Sequence, residues 1–257
     1  GTGMKTLGGP TLRLAGTAHW EGTGALYAGS GSLFQIEPSG LWEIRNDANT
    51  YYTYSAPTAT LNNNGTIRKL ASTGTTTVAS QSFTCNNHGL VDVQTGTLAF
   101  RTGGTATGGY TVAADATIDF GSGNRTNSSI SSISGAGSVV ASSGVTHHEG
   151  SYAVAHSTTV SGATLSLMGP TSNLGTNVTV SGGTLALTSD LTVTGEVNLS
   201  GGTLTPSGDL TVAGTMNWTA GELAGTGEVT IPAGSTLVLA GTGMKTLGGP
   251  TLRLAGT

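Results

Sequence analysis

The sequence predicts an all-β protein coiled into one long parallel β-solenoid, with about 12 coils of roughly 19–20 residues and no capping helix. Three observations carry that expectation: a composition that favours strands over helices, a short repeat of near-constant length, and apolar alternation inside each repeat.

Of the 257 residues, 43 are Gly, 46 Thr and 26 Ser, while charged residues make up only 9%. Such Gly and Ser content would fit a disordered chain, but Val, Ile and Leu recur in short, evenly placed, alternating runs. Thr and Val pack well on a pleated surface, and the residues that build exposed helix faces, Lys, Glu, Gln and Arg, are scarce. The formal charge of −4 offers no basic surface for nucleic acid. No run of 18 apolar residues is present, so no membrane-spanning segment is expected. The opening Gly1-Thr2-Gly3-Met4-Lys5 does not read as a signal peptide, although a fragment of a longer precursor would not show one. Cys85 is the single cysteine, which excludes a disulfide framework and a cysteine metal site and reads as a small buried apolar residue.

The short repeat is clearest where Ser161-Gly162-Ala163-Thr164-Leu165 is followed by Ser181-Gly182-Gly183-Thr184-Leu185, Ser200-Gly201-Gly202-Thr203-Leu204 and Thr219-Ala220-Gly221-Glu222-Leu223. Their offsets are nearly equal, the length of one solenoid coil. Each unit holds three brief strand-like pieces between Gly-rich corners, where the chain needs φ values that other residues resist. Alternation places Leu191, Val193, Val197, Leu199 and Leu204 inward and Thr192, Asn198 and Thr203 outward. Three such strands cannot bury one apolar stripe alone; stacking each coil on the last closes a core. A propeller blade needs about 40 residues, and a sandwich shows hairpin turns rather than a fixed period. Between 18 and 160 the period is less clean, and corner insertions are expected near 45–65 and 80–90.

A longer repeat is stricter. Residues 1–17, GTGMKTLGGPTLRLAGT, recur letter for letter at 241–257. A folding constraint preserves pattern rather than identity, so the simplest source is a tandem array of near-identical 240-residue modules; a duplicated end is the plainer alternative. One copy of the 17-mer carries Lys5 and Arg13, so each period holds 7 basic and 13 acidic residues, a charge of −6. Neither end offers an amphipathic helix to cover the last coil, and bare strand edges are normally capped or continued.

Asn63-Asn64-Gly65-Thr66-Ile67-Arg68-Lys69, Met216-Asn217-Trp218-Thr219-Ala220-Gly221 and Ile231-Pro232-Ala233-Gly234-Ser235-Thr236-Leu237 resemble repeats of very large secreted bacterial proteins, filamentous-haemagglutinin-like adhesins and autotransporter passenger domains. The resemblance implies a right-handed parallel β-helix and an extracellular or cell-surface location. It transfers no catalytic residue.

Several residues are candidate sites. Asp190, Asp209 and Glu228 are spaced by one coil, so in-register coils would stack their carboxylates in a column suited to Ca²⁺; alternatively they are corner residues accepting local backbone N–H bonds. The same carboxylates raise a polysaccharide lyase or hydrolase reading, but no basic or aromatic cluster accompanies them beyond Trp218 and Lys245. His147-His148-Glu149 with His156 is the densest set of transition-metal ligands, yet adjacent strand residues face opposite ways, and an exposed inserted corner is the expected setting. Trp20, Trp42 and Trp218, with Tyr51, Tyr52 and Tyr54, are candidates for a glycan-stacking face, or else core. Lys and Arg are too scattered for a charged-ligand patch. Sequons begin at Asn64, Asn124, Asn127, Asn177, Asn198 and Asn217 and are candidate glycosylation sites. The expected function is a non-enzymatic structural segment of an extracellular fibre, stalk or giant adhesin. Its partners are copies of itself, in covalent tandem or end to end, and surface glycans. A carbohydrate- or receptor-binding adhesin face and a β-helix polysaccharide-degrading enzyme are the alternatives.

Overall fold

The computed structural model describes residues 1–53, 56–79 and 83–255, and in it the chain is all-β, with parallel strands stacked into a solenoid of about 12 turns. Each turn carries one strand on each of three faces. The first face begins at Lys5–Gly8, the second at Thr11–Leu14 and the third at Thr17–Trp20. Each of these strands pairs in parallel with its counterpart one turn on: Lys5 with Leu26, Thr11 with Leu33, and Thr17 with Leu41. In the last turn the three faces are Thr236–Leu239, Lys245–Gly248 and Thr251–Leu254.

The corners follow from the glycines. Ser157–Leu167, Asn177–Leu187, Glu196–Pro206 and Thr215–Ala224 each bend through a corner and serve the first and second faces, which is why one sheet of 17 strands spans both. The repeated Ser-Gly-Gly-Thr is that corner. Gly183 and Gly202 sit at φ +71° and +65°, and a Cβ on either would press into a backbone carbonyl of the turn below, so both conformation and space require Gly.

Turn length divides the rod. In the C-terminal half one turn carries the chain from Ser138 to Ser157 or from Asn198 to Asn217, a separation of 19 in each case. Nearer the N-terminus it is longer: 24 from Asn63 to Asn87 and 27 from Gln35 to Asn62. The insertion expected at 45–65 is therefore present; the one expected at 80–90 falls partly on residues 80–82, outside the described residues. Across the longer turns side chains replace part of the ladder: Thr77 N–H donates to Asn49 Oδ1 (2.9 Å) and Ala79 N–H to Thr50 Oγ1 (2.6 Å).

The interior changes along the rod. The short turns are filled by apolar columns such as Val180, Leu199 and Trp218, or Leu185, Leu204 and Leu223, all buried. Leu191, Val193, Val197, Leu199 and Leu204 face inward, as alternation requires. Elsewhere the interior holds aromatic clusters, in the longer first turns and in shorter ones alike. Trp20 stacks on Trp42 at 5.6 Å, and Phe100 on Phe120 at 6.2 Å with Tyr110 edge-on at 5.5 Å from Phe120. Cys85 is buried in the core, and burial pushes its thiol pKa up.

Candidate functional site

The outer carboxylate column is a backbone ladder. Asp209 N–H donates to Asp190 Oδ1 at 2.8 Å, and Glu228 N–H donates to Asp209 Oδ1 at 2.8 Å, so each Asp closes the start of the next turn. Glu228 in turn accepts from Thr230 Oγ1 at 2.8 Å and lies 3.6 Å from Arg253. Asp190, Asp209 and Glu228 thus behave as corner residues accepting backbone N–H bonds: one oxygen of each Asp is committed to an N–H, and among the described residues no group of three His, Cys, Asp or Glu is gathered for one ion. Melting temperature is expected to be the same in calcium and in chelator, while Asp209→Ala lowers stability by about 1 kcal/mol or less, the value of one exposed hydrogen bond.

The three tryptophans bring a correction. Trp20, Trp42 and Trp218 are all inward and buried, because each lies on the core side of the pleat in its strand, so they present no outer stacking face. Trp20 Nε1–H is satisfied by Gly24 O (3.0 Å) and Trp218 Nε1–H by Gly221 O (3.2 Å). Tyr52 packs against the core and Tyr51 faces out, where its ring lies 5.3 Å from Tyr27, a residue the aromatic set omitted. Tyr54 lies outside the described residues.

His147 and His148 sit on one extended strand, Val145–His148, and point to opposite faces, so they share no ion. The inserted-corner setting is corrected: His148 is fully buried. Its Nδ1 faces Asn127 Nδ2 at 3.3 Å and its Nε2 faces Ser151 O at 2.9 Å. This histidine ends an interior polar spine in which Ile36, Asn63, Asn87, Ala106, Asn127, His148 and Leu167 occupy one column. Asn63 Nδ2 donates to Asn87 Oδ1 at 2.8 Å, and Asn87 Nδ2 to Gly109 O at 3.0 Å. The signal was in the sequence: Leu61-Asn62-Asn63 and Cys85-Asn86-Asn87 repeat one pattern at the spacing of a long turn.

Burial lowers the His148 pKa from its ordinary 6.5, partly opposed by Ser151 O. The unfolded chain therefore binds the proton more readily, and stability falls as pH drops below about 6.5. The urea midpoint should decrease between about pH 7.5 and about pH 5, and His148→Leu, which matches the Leu167 that follows in the column, should flatten that decrease.

Asn127 is also inward and buried, so it is removed from the glycosylation candidates. Asn124 and Asn177 are exposed, and Asn64, Asn198 and Asn217 are partly exposed. Asn217 Nδ2 donates to Asn198 Oδ1 (2.9 Å) and Asn198 Nδ2 to Asn177 Oδ1 (3.3 Å), an outer amide ladder.

Two buried cations were not anticipated. Lys69 Nζ is enclosed by Asn46 O, Asp47 Oδ1, Ser72 Oγ and Thr76 Oγ1 at 2.9–3.0 Å. Burial depresses its pKa, and the Asp47 carboxylate counters that. Among the described residues no carboxylate pairs with Arg125: its guanidinium donates to Cys85 O, Thr102 O and Tyr110 Oη at 3.2–3.3 Å and lies 5.2 and 5.6 Å from the Phe100 and Phe120 ring centres. Outside, the third face carries an alternating row. Glu43 lies 2.8 Å from His19 and 2.6 Å from Arg45, and Arg68 bonds Asp92 at 2.8 Å. The hydrogen bond from Arg45 chiefly holds Glu43 below the usual carboxylate range. These cations are gathered rather than scattered, but each is matched by an acid, so they form no open anion patch.

The arrangement gathers its chemistry into ladders that hold turns together, both inside and outside. These features define a β-solenoid repeat protein. No protein-family model, curated protein or solved structure matches the chain.

Proposed function

We propose that this chain is a structural segment of an extracellular fibre, stalk or giant adhesin built from tandem β-solenoid modules, and that its work is mechanical rather than catalytic. The filamentous-haemagglutinin-like and autotransporter-passenger resemblance is part of the same proposal. One observation carries it. The identical 17-mer forms turn material at both ends of the rod, pairing with the residues that follow it at one end and with the residues that precede it at the other. The same strands thus accept parallel neighbours on both edges, as a continuing array requires. Asp92 and Asp119 are paired across turns with Arg68 and Arg101, which suits a load-bearing surface better than a substrate site.

No helix among the described residues is long and apolar enough to cross a membrane. Copies of the same module along the axis are the partners proposed, with outer Thr and Asn rows facing surface glycans. Electron microscopy of the native material should show thin rods on the cell surface or in the medium, with a repeat of roughly 55 Å from strand spacing. Compact particles confined to the cell interior would overturn the reading.

A further inference from the structure

The two copies of the 17-mer lie on different faces of the rod. Lys5–Gly8 is on the first face and Thr11–Leu14 on the second. Their identical counterparts, Lys245–Gly248 and Thr251–Leu254, are on the second and third, because Lys245 pairs beside Gly221 and Thr251 beside Glu228. Local structure is nevertheless the same in both copies. Lys5 Nζ donates to Gly3 O at 3.2 Å and Lys245 Nζ to Gly243 O at 3.1 Å, and Gly9 and Gly249 both have positive φ. With three strands per turn, the first copy opens strand position one and the second opens position thirty-five. A 240-residue period is then eleven turns plus one strand.

We infer that, in a tandem array of this module, every junction advances the chain by one face, so that successive modules are rotated by a third of a turn beyond the rod's own twist. The inference rests on the tandem reading above and adds its geometry.

Continuation needs no looped-out segment. In sequence the next module resumes at Ala18 directly after the repeat, so the strand that corresponds to Thr17–Trp20 would fall on the first face, over Thr236–Leu239. The step from Thr236 to Thr257 is as long as the step from Lys5 to Leu26. Leu26–Gly29 of the next module then falls on the second face, following Lys245–Gly248 by the same step that separates it from Lys5–Gly8. Both steps lie within the range of turns already described. Keeping the faces constant would instead expel residues 232–244, including the whole strand Thr236–Leu239.

The tip agrees with this. Leu239, Leu247 and Leu254 belong to the three strands of the last turn and are 62%, 50% and 60% exposed, the apolar rim of a core with nothing stacked on it. In the advanced register they are covered by Trp20, Ala28 and Ile36 of the next module, the last two being the residues that cover Leu7 and Leu14 within one module. Arg253, beside Glu228 at 3.6 Å, would also reach Glu37 of the next module, as Arg13 does at 2.6 Å. An outer feature such as the His19–Glu43–Arg68–Asp92 row would then recur on each side of the fibre in succession, returning to one side every third module.

The test is a two-module chain, residues 1–257 followed directly by 18–257, cross-linked with a short thiol–thiol reagent. One version pairs Val238→Cys in the first module with His19→Cys in the second. The other pairs Thr230→Cys with the same His19→Cys. Cys85 is buried, and singly substituted chains serve as blanks. In the advanced register His19 lies outward over Val238, about 5 Å away, so the first pair should link and the second should not. Linkage of Thr230 instead, or of both pairs alike, overturns the rotation while leaving a continuous rod. Linkage of neither pair, with X-ray scattering of two bodies on a flexible tether, overturns the tandem reading itself.

Discussion

Leu199→Asp is expected to destabilise the rod by about 3 kcal/mol or more, read as a fall in the urea midpoint. Leu199 is fully buried between Val180 below and Trp218 above, in short turns that offer neither spare volume nor a polar partner. An aspartate there either ionises inside an apolar column or drags the strand outward. Because each turn rests only on its neighbours, the loss should spread locally: hydrogen exchange should rise first around 177–224 and least in the first turns. Uniform loss of protection along the whole chain, or a change under about 1 kcal/mol, would contradict a stacked core.

Arg125→Ala should cost a comparable amount, about 3–5 kcal/mol, for a different reason. The guanidinium fills the interior between Phe100 and Phe120 and satisfies Cys85 O, Thr102 O and Tyr110 Oη. Truncation leaves both a cavity and unpaired acceptors. Arg125→Met restores the volume and avoids the cost of enclosing a charge without a carboxylate, so it should recover most of the loss. Thermal melting of the two variants side by side checks this; equal losses would mean that the charge, rather than the volume, holds the turn.

Much of the architecture was legible in the chain. The even spacing of Ser181-Gly182-Gly183-Thr184 and Ser200-Gly201-Gly202-Thr203 marks the corners directly, since only Gly fits the left-handed φ pressed against the turn below. Alternation placed Leu191 through Leu204 correctly for the same elementary reason: strand side chains point to opposite faces. The candidate sites were less legible. Side-chain type suggests exposure, and for several residues of this rod it misleads. His148, Asn127, Lys69 and Arg125 are polar and enclosed, because backbone carbonyls and polar side chains of neighbouring turns partner them. The tryptophans erred in the opposite direction, each lying on the core side of the pleat.

By itself, then, the sequence determined the solenoid, its corners, its inward aliphatic columns and the identity of the 17-residue repeat. All of these depend on residues near one another in the chain or on simple periodicity. The tertiary structure alone decided which carboxylate meets which N–H, which polar groups are inside, and on which face each copy of the repeat lies. Those depend on how much chain each turn takes up before it closes, and the chain shows that length only after neighbouring turns have settled into register.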